Sequence, residues 1–131
     1  MQRKILVIDK SAELLEVIKF LLEEEGFDVD TTSNIEILSE LKTIKPNLLL
    51  IEESLFGNQT IEICRSIKSN IQTQNISIIL SSNNIDIAEI NKNARTDGYI
   101  KKPFEITELV DVIKSTMQIN NNFEKKDREF D

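Results

Sequence analysis

The 131 residues, 40% of them hydrophobic, suit one compact domain with one core, and the formal net charge of −7 argues against a nucleic-acid-binding surface, because phosphate backbones are bound by basic faces. Cys64 is the only cysteine and the chain has no histidine, which excludes an intramolecular disulfide and a Cys/His zinc site. No apolar run reaches membrane-spanning length, so we expect a cytoplasmic protein without membrane insertion or a nucleic-acid partner.

Short apolar runs rich in β-branched residues alternate with longer stretches at helical spacing. This alternation predicts a parallel sheet with helices on both faces. The predicted strands are Lys4–Asp9, Asp28–Thr31, Leu48–Glu52, Ile76–Ser81 and Gly98–Lys101. The first, third and fourth are almost continuously apolar, as expected for central strands that are buried on both sides.

Five helices are predicted between and after these strands. They are Ala12–Glu25, a helix from Ser33 to just before Pro46, Ile61–Ser69, Ile85–Asn93 and Ile106–Met117. Ser11 is the expected N-cap of the first helix and Gly26 its end, while the spacing of Ser33 to Glu36 fits a capping box. Apolar periodicity is lost after Met117, so residues 1–117 are predicted to form the domain and residues 118–131 a polar tail or linker.

Polar side chains cluster at the predicted carboxyl ends of four strands. In an open parallel sheet, ligands bind beyond these ends, near the switch in strand order. The residues there are Asp9-Lys10-Ser11, Glu52-Glu53, Ser81-Ser82-Asn83 and Lys101-Lys102-Pro103. Each residue alone has an ordinary structural interpretation, such as a surface carboxylate or a helix cap. The whole set favours a phosphate or metal site in one crevice.

Four segments resemble a bacterial receiver domain of the response regulator family. They are Lys4–Asp9, Leu21–Phe27, Lys45–Glu52 and Asp97–Phe104, and the resemblance runs from about Lys4 to Met117. It implies an α/β, doubly wound (βα)5 fold of the flavodoxin-like type, with five parallel strands in the order 2-1-3-4-5. It also implies a signalling role in which an aspartate is phosphorylated with the help of Mg²⁺.

The resemblance also implies roles for individual residues. By position, Asp9 matches one of the acidic pair that holds the metal, and Ser82 matches the hydroxyl residue that contacts the phosphoryl group. Lys102 matches the family's conserved lysine, and Tyr99 matches the aromatic residue that changes rotamer on activation.

The chain departs from the family pattern at the chemically important positions. Glu52 stands at the position of the phosphoacceptor aspartate, and Lys10 at the second acidic position of the metal pair. Phe56 replaces a usual proline, and Arg95 replaces a usual glycine after the fourth helix, which predicts a different turn there or a mild left-handed strain. A protonated lysine has no lone pair for a metal, so we expect Mg²⁺ binding to be weak or lost.

These features predict a non-enzymatic pseudo-receiver that works as a protein-interaction module. Its expected contact surface is the face formed by the fourth helix, fifth strand and fifth helix, with Tyr99, Lys101 and Lys114 as candidate contacts. The expected partners are signalling proteins, such as a histidine kinase or an output protein, or a second copy bound through the same face. A charge-paired Glu52 could also imitate the phosphorylated state.

Two alternatives remain open at this point. The first is a working, Mg²⁺-dependent phosphoacceptor that uses Glu52 or Glu53. The second is a small flavodoxin-like FMN-binding protein, which would need a phosphate-binding loop rich in Gly, Ser and Thr after the first strand. The segment that follows the first strand, Asp9-Lys10-Ser11-Ala12-Glu13, lacks that composition.

Overall fold

The computed structural model describes residues 3–118, which form five parallel strands in the order β2-β1-β3-β4-β5. The strands are β1 (Lys4–Ile8), β2 (Asp28–Thr32), β3 (Leu48–Glu52), β4 (Ser77–Ser82) and β5 (Gly98–Lys101). This is the predicted fold and strand order. The order reverses between β1 and β3, so the carboxyl ends of these two strands flank the crevice where ligands bind in such sheets.

Helices cover both faces of the sheet. They are α1 (Ala12–Glu24), α2 (Leu41–Ile44), α3 (Thr60–Ser69), α4 (Ile87–Ala94) and α5 (Ile106–Thr116), with 3₁₀ helices at Ile35–Glu40 and Glu53–Gln59. None of the helices between residues 3 and 118 is long and apolar enough to cross a membrane. The predicted tail, apart from its first residue, lies outside the described residues.

The central strands β1 and β3 divide the core into two layers. Side chains of a strand alternate between its faces. Ile5 and Leu48 therefore pack in the cluster that includes residues of α1 and α5, whereas Leu6 and Leu49 pack in the cluster that includes residues of α3 and α4. This double burial explains why the strands read as continuous apolar runs.

The predicted start of the second helix is wrong. The side chain of Asn34, rather than that of Ser33, caps this segment by accepting a hydrogen bond from Glu36 N at 3.0 Å. The Asn34 N–H in turn donates to Thr32 Oγ1 at 3.1 Å, which ties the cap to the end of β2. The segment then forms a 3₁₀ helix and only one α-helical turn, although it ends before Pro46 as predicted.

Other boundaries differ by one or two residues. Strand β4 extends to Ser82, because Ser82 pairs with Lys101 of β5. Helix α4 begins at Ile87 instead of Ile85, because Asn84 accepts hydrogen bonds from Asp86 N and Ile87 N and so forms a turn. The cap of α1 is as predicted, with Ser11 Oγ accepting from Leu14 N at 3.2 Å and Gly26 following at φ 95°.

Arg95 ends α4 in a left-handed conformation, with φ 60° and ψ 32°. The sequence predicted either a different turn or left-handed strain at this position, and the structure has the left-handed conformation at a non-glycine residue. The backbone N–H of Arg95 still closes the helix by hydrogen bonding to the carbonyls of Asn91 and Lys92. A non-glycine residue in this region has a steric cost of about 1–2 kcal/mol.

We therefore predict that Arg95→Gly raises the free energy of unfolding by about 0.5–1 kcal/mol. The relief of left-handed strain exceeds the extra backbone entropy that glycine loses, which is about 0.5–1 kcal/mol. The matched control is Ala88→Gly within α4, at a site with helical geometry, which should lower stability by about 1 kcal/mol. Urea unfolding followed by circular dichroism measures both, and a loss of stability in Arg95→Gly would contradict the prediction.

Candidate functional site

Four strands bring the predicted site residues to one edge of the sheet. Asp9 follows β1, Glu52 ends β3, Ser82 ends β4 and Lys102 follows β5. Parallel pairing aligns their carboxyl ends, as in the pairs Glu52 with Ser81 and Ser82 with Lys101. Asp9, Glu52 and Ser82 are all buried, with 3%, 6% and 4% of their surface exposed. The convergence predicted from the strand ends is therefore present.

Lys102 connects two buried carboxylates. Its Nζ lies 2.8 Å from Asp9 Oδ2 and 2.9 Å from Glu52 Oε1. Burial on its own would lower the pKa of Lys102, but hydrogen bonds to Asp9 and Glu52 and their negative charges outweigh this effect and raise the pKa. The ammonium is thus held in its charged form between two anions.

Lys10 has a weaker role at the same carboxylate. Its Nζ lies 4.0 Å from Glu52 Oε1, and its side chain is 68% exposed. An ion pair of this length and exposure contributes little to stability. Lys102, and not Lys10, is therefore the principal counterion of Glu52.

Glu53 belongs to the predicted strand-end cluster, and the structure gives it a hydrogen-bond partner that the sequence pattern did not predict. It begins the 3₁₀ helix after β3 and is buried, with 8% exposed. Its Oε1 accepts a hydrogen bond from Ser82 Oγ at 2.9 Å, and Ser82 Oγ accepts one from Asn84 N at 2.9 Å. The sequence predicts its place at this edge of the sheet and offers it as an alternative acceptor, but does not predict its contact with Ser82. The available signal was a second carboxylate directly after a buried strand.

Several carboxylate oxygens of the crevice, which would be the ligands for Mg²⁺, already have partners within the chain. This ion takes an octahedral set of oxygens at short distances. One oxygen each of Asp9 and Glu52 is bound by Lys102, and Asp9 Oδ1 accepts from Ser11 N at 2.9 Å. Glu52 Oε2 is buried without a hydrogen-bond partner, but across residues 3–118 no group of three or more His, Cys, Asp or Glu side chains is placed to hold a metal.

The three predicted contact residues do not share one surface. Tyr99 packs against the core cluster on the α3 and α4 side and lines a hollow together with Asn91 of α4 and Val112 of α5. Lys101 is exposed at the end of β5. Lys114 instead lies on the other side of α5, where its Nζ donates to Glu25 Oε1 at 3.3 Å. Lys114 thus contacts α1 whereas Tyr99 borders α4, and the role of the three residues as partner contacts stays a prediction.

Comparison with known proteins identifies the fold and the family. The family model described as "Response regulator receiver domain" matches residues 5–114. The DNA-binding response regulators MtrA of Mycolicibacterium paratuberculosis and Mycobacterium leprae are each 27% identical over 123 residues, which is 93% of this chain and 54% of theirs. The chain thus spans about half the length of these relatives.

Solved structures of receivers have the same fold. A putative response regulator from Chloroflexus aurantiacus superposes with a TM-score of 0.80 at 21% identity, covering 90% of this chain and 99% of that one. The chemotaxis response regulator CheY4 of Vibrio cholerae gives a TM-score of 0.78 at 16% identity, covering 88% and 99%. The five-stranded topology, the cluster at the strand ends and the family match together lead to one conclusion: the chain belongs to the response regulator receiver domain family.

Proposed function

We propose that this receiver acts as a protein-interaction module without Mg²⁺-dependent phosphorylation at Glu52. The observation that carries this proposal is the position of the Lys102 ammonium, 2.8 Å from Asp9 Oδ2 and 2.9 Å from Glu52 Oε1. A cation that belongs to the chain lies between the two carboxylates that a metal would need. With Lys10 Nζ at 4.0 Å from Glu52 Oε1, two lysine ammonium groups face these two carboxylates without an ion or a phosphoryl group.

Two further features oppose phosphoryl transfer. Catalysis of this reaction depends on positioning and on charge stabilisation, and glutamate places its carboxylate about 1.5 Å further from the backbone than aspartate does. Lys10 adds a positive charge where the family has an acidic metal ligand. We estimate a rate reduction of about a hundredfold or more from misplacement alone.

In this function Glu52 gives Lys102 a permanent anionic partner, in the manner of a phosphoryl group. The domain then holds one arrangement and presents it to a cytoplasmic signalling protein, such as a kinase or an output protein, or to a second copy. Tyr99 and Lys101 remain the candidate contacts on the face formed by α4, β5 and α5. Lys114 is not included, because it pairs with Glu25 on the α1 side.

A second candidate is a phosphoacceptor that uses Glu52. One observation favours it: Glu52 Oε2 is buried and has no hydrogen-bond partner, so one carboxylate oxygen is not engaged by Lys102. Glu53 is less suited to this role, because its Oε1 is already bound to Ser82. The first of the following experiments separates the two candidates.

We expect no phosphorylation when the purified protein is incubated with acetyl phosphate and Mg²⁺. Intact mass spectrometry should record the unmodified mass, because Lys102 and Lys10 oppose metal binding at the crevice. A receiver with the usual acidic pair and aspartate serves as the positive control. A mass increase of one phosphoryl group that maps to Glu52 would replace this proposal with the second candidate.

We expect the double variant Lys10→Asp/Glu52→Asp to gain Mg²⁺-dependent phosphorylation. It restores both the second metal-binding carboxylate and the shorter acceptor on the same scaffold. Each single variant should be phosphorylated to a smaller extent than the double variant, because each lacks either the metal-binding carboxylate or the shorter acceptor. If the double variant remains unmodified although it folds, then other departures, such as Phe56, also prevent the reaction.

We expect Lys102→Met to lower the free energy of unfolding by about 3 kcal/mol at pH 7, because it leaves two buried carboxylates without their counterion. The exposed neighbour gives the matched control, Lys101→Met, with a change within about 0.5 kcal/mol. Urea unfolding measures both, and equal losses in the two variants would show that Asp9 and Glu52 do not depend on Lys102.

The same pair of variants gives a pH dependence. The pKa of Lys102 is raised in the folded state above its ordinary 10.5. Its stabilising contribution is therefore complete below the unfolded pKa and is lost as pH rises through the folded pKa. The stability difference between the parent and Lys102→Met should accordingly begin to shrink only above pH 10.5.

A further inference from the structure

Glu52 and Glu53 are neighbours in sequence, and each accepts a hydrogen bond from a different residue. The two donors, Lys102 and Ser82, are also hydrogen-bonded to each other. Glu52 Oε1 accepts from Lys102 Nζ at 2.9 Å, and Glu53 Oε1 accepts from Ser82 Oγ at 2.9 Å. The backbone N–H of Lys102 donates to the carbonyl of Ser82 at 2.8 Å. The peptide bond between Glu52 and Glu53 completes a closed ring, which links the ends of β3, β4 and β5.

We propose that Glu53 is a positioning residue which, through Ser82, fixes the β4–α4 connection (residues 83–86) in one arrangement. The proposal extends the proposed function, because it assumes that no phosphoryl group competes for Ser82 and Lys102. Glu53 then supplies to Ser82 the anionic contact that Glu52 supplies to Lys102. Two internal carboxylates divide between them the two contacts that one external oxyanion would otherwise make.

The hydrogen bonds continue from Ser82 to the start of α4. Ser82 Oγ accepts from Asn84 N at 2.9 Å, Asn84 Oδ1 accepts from Asp86 N at 2.9 Å, and the Asn84 carbonyl accepts from Ile87 N at 3.2 Å. These hydrogen bonds run from the end of β4 through the residues before α4 to Ile87, the first residue of α4. The position of Glu53 is therefore transmitted to the turn by a continuous set of hydrogen bonds.

The turn carries an unusual apolar side chain. Ile85 is 89% exposed, the largest value among the exposed large hydrophobic residues of the described region. It lies within the connection that the ring holds in place. The arrangement of this turn consequently decides where Ile85 is displayed, next to the face formed by α4, β5 and α5.

The hydroxyl of Ser82 can donate to Glu53 and accept from Asn84 at the same time, so it links the two residues. A serine hydroxyl has one proton to donate, and here it goes to a carboxylate that is itself buried. Hydrogen bonds to an ionised acceptor are roughly twice as strong as neutral ones. With its proton committed to Glu53, the hydroxyl keeps its lone pairs for Asn84 N and the turn.

Three substitutions at Glu53 separate its possible contributions. Glu53→Leu removes the acceptor and introduces an apolar side chain of similar size. Glu53→Asp keeps the charge but shortens the reach by about 1.5 Å, so it cannot contact Ser82 without backbone movement. Glu53→Gln keeps an acceptor oxygen at the same reach. Glu62→Leu, at an exposed position of α3, is the control for the loss of a carboxylate elsewhere.

The readout is amide hydrogen exchange of the full chain, followed residue by residue by ¹H–¹⁵N NMR. We expect exchange at Asn84, Asp86 and Ile87 to become at least tenfold faster in Glu53→Leu and Glu53→Asp. It should change less than threefold in Glu53→Gln and not at all in Glu62→Leu. If Glu53→Leu does not fold, Glu53→Asp decides the matter.

Parent-like exchange at the turn in Glu53→Asp or in a folded Glu53→Leu would overturn the positioning role. So would an equal acceleration in Glu53→Gln, because this variant keeps the size and an acceptor oxygen, and the loss of the negative charge rather than of the hydrogen bond would then be responsible. These results are independent of phosphorylation. A parent protein that gains a phosphoryl group contradicts the proposed function, whereas the exchange pattern in unphosphorylated samples tests Glu53 alone.

Discussion

The arrangement of the crevice depends on a lysine ammonium that lies between two buried carboxylates. Asp9 and Glu52 lie at the ends of the two central strands and are almost completely buried, which is costly for charged groups unless they are paired. Lys102 satisfies this requirement for both of them from the segment after β5. Removing Lys102 would leave both buried carboxylates without their principal counterion, so the arrangement of the crevice depends on this lysine.

The same constraint decides which chemistry the crevice favours. A phosphorylated receiver combines a metal ion, an acceptor carboxylate and a lysine, whereas here the lysine ammonium lies between the two carboxylates and pairs with both. Glu53 adds a second internal anion, which engages the hydroxyl of Ser82. The groups that would recognise an external phosphoryl group are thus bound to side chains of the chain itself. This arrangement is the basis of the proposal that the receiver transmits by binding.

The structure also separates surfaces that the linear pattern had grouped together. Helix α5 carries Lys114 toward α1, where it meets Glu25, while Tyr99 faces the hollow beside α4. Val112, which lines the hollow with Tyr99, and Lys114 lie two positions apart in α5, so their side chains point in different directions and meet different neighbours. The exposed Ile85 lies before α4, close to the end of the hydrogen-bond chain that begins at Glu53.

The sequence by itself determined the five strands, the cap of α1 and the convergence of polar residues at the strand ends, because these follow from local periodicity and from the rule for parallel sheets. The resemblance to receivers added the strand order. Tertiary structure alone decided that Lys102 is closer to Glu52 than Lys10 is, that Asn34 caps the second helical segment, and that Glu53 holds Ser82. The physical reason is that such contacts depend on distances of a few ångströms between side chains on separate elements. These distances are set by strand register and by the 3₁₀ turn after β3, which carry no periodic signal in the chain.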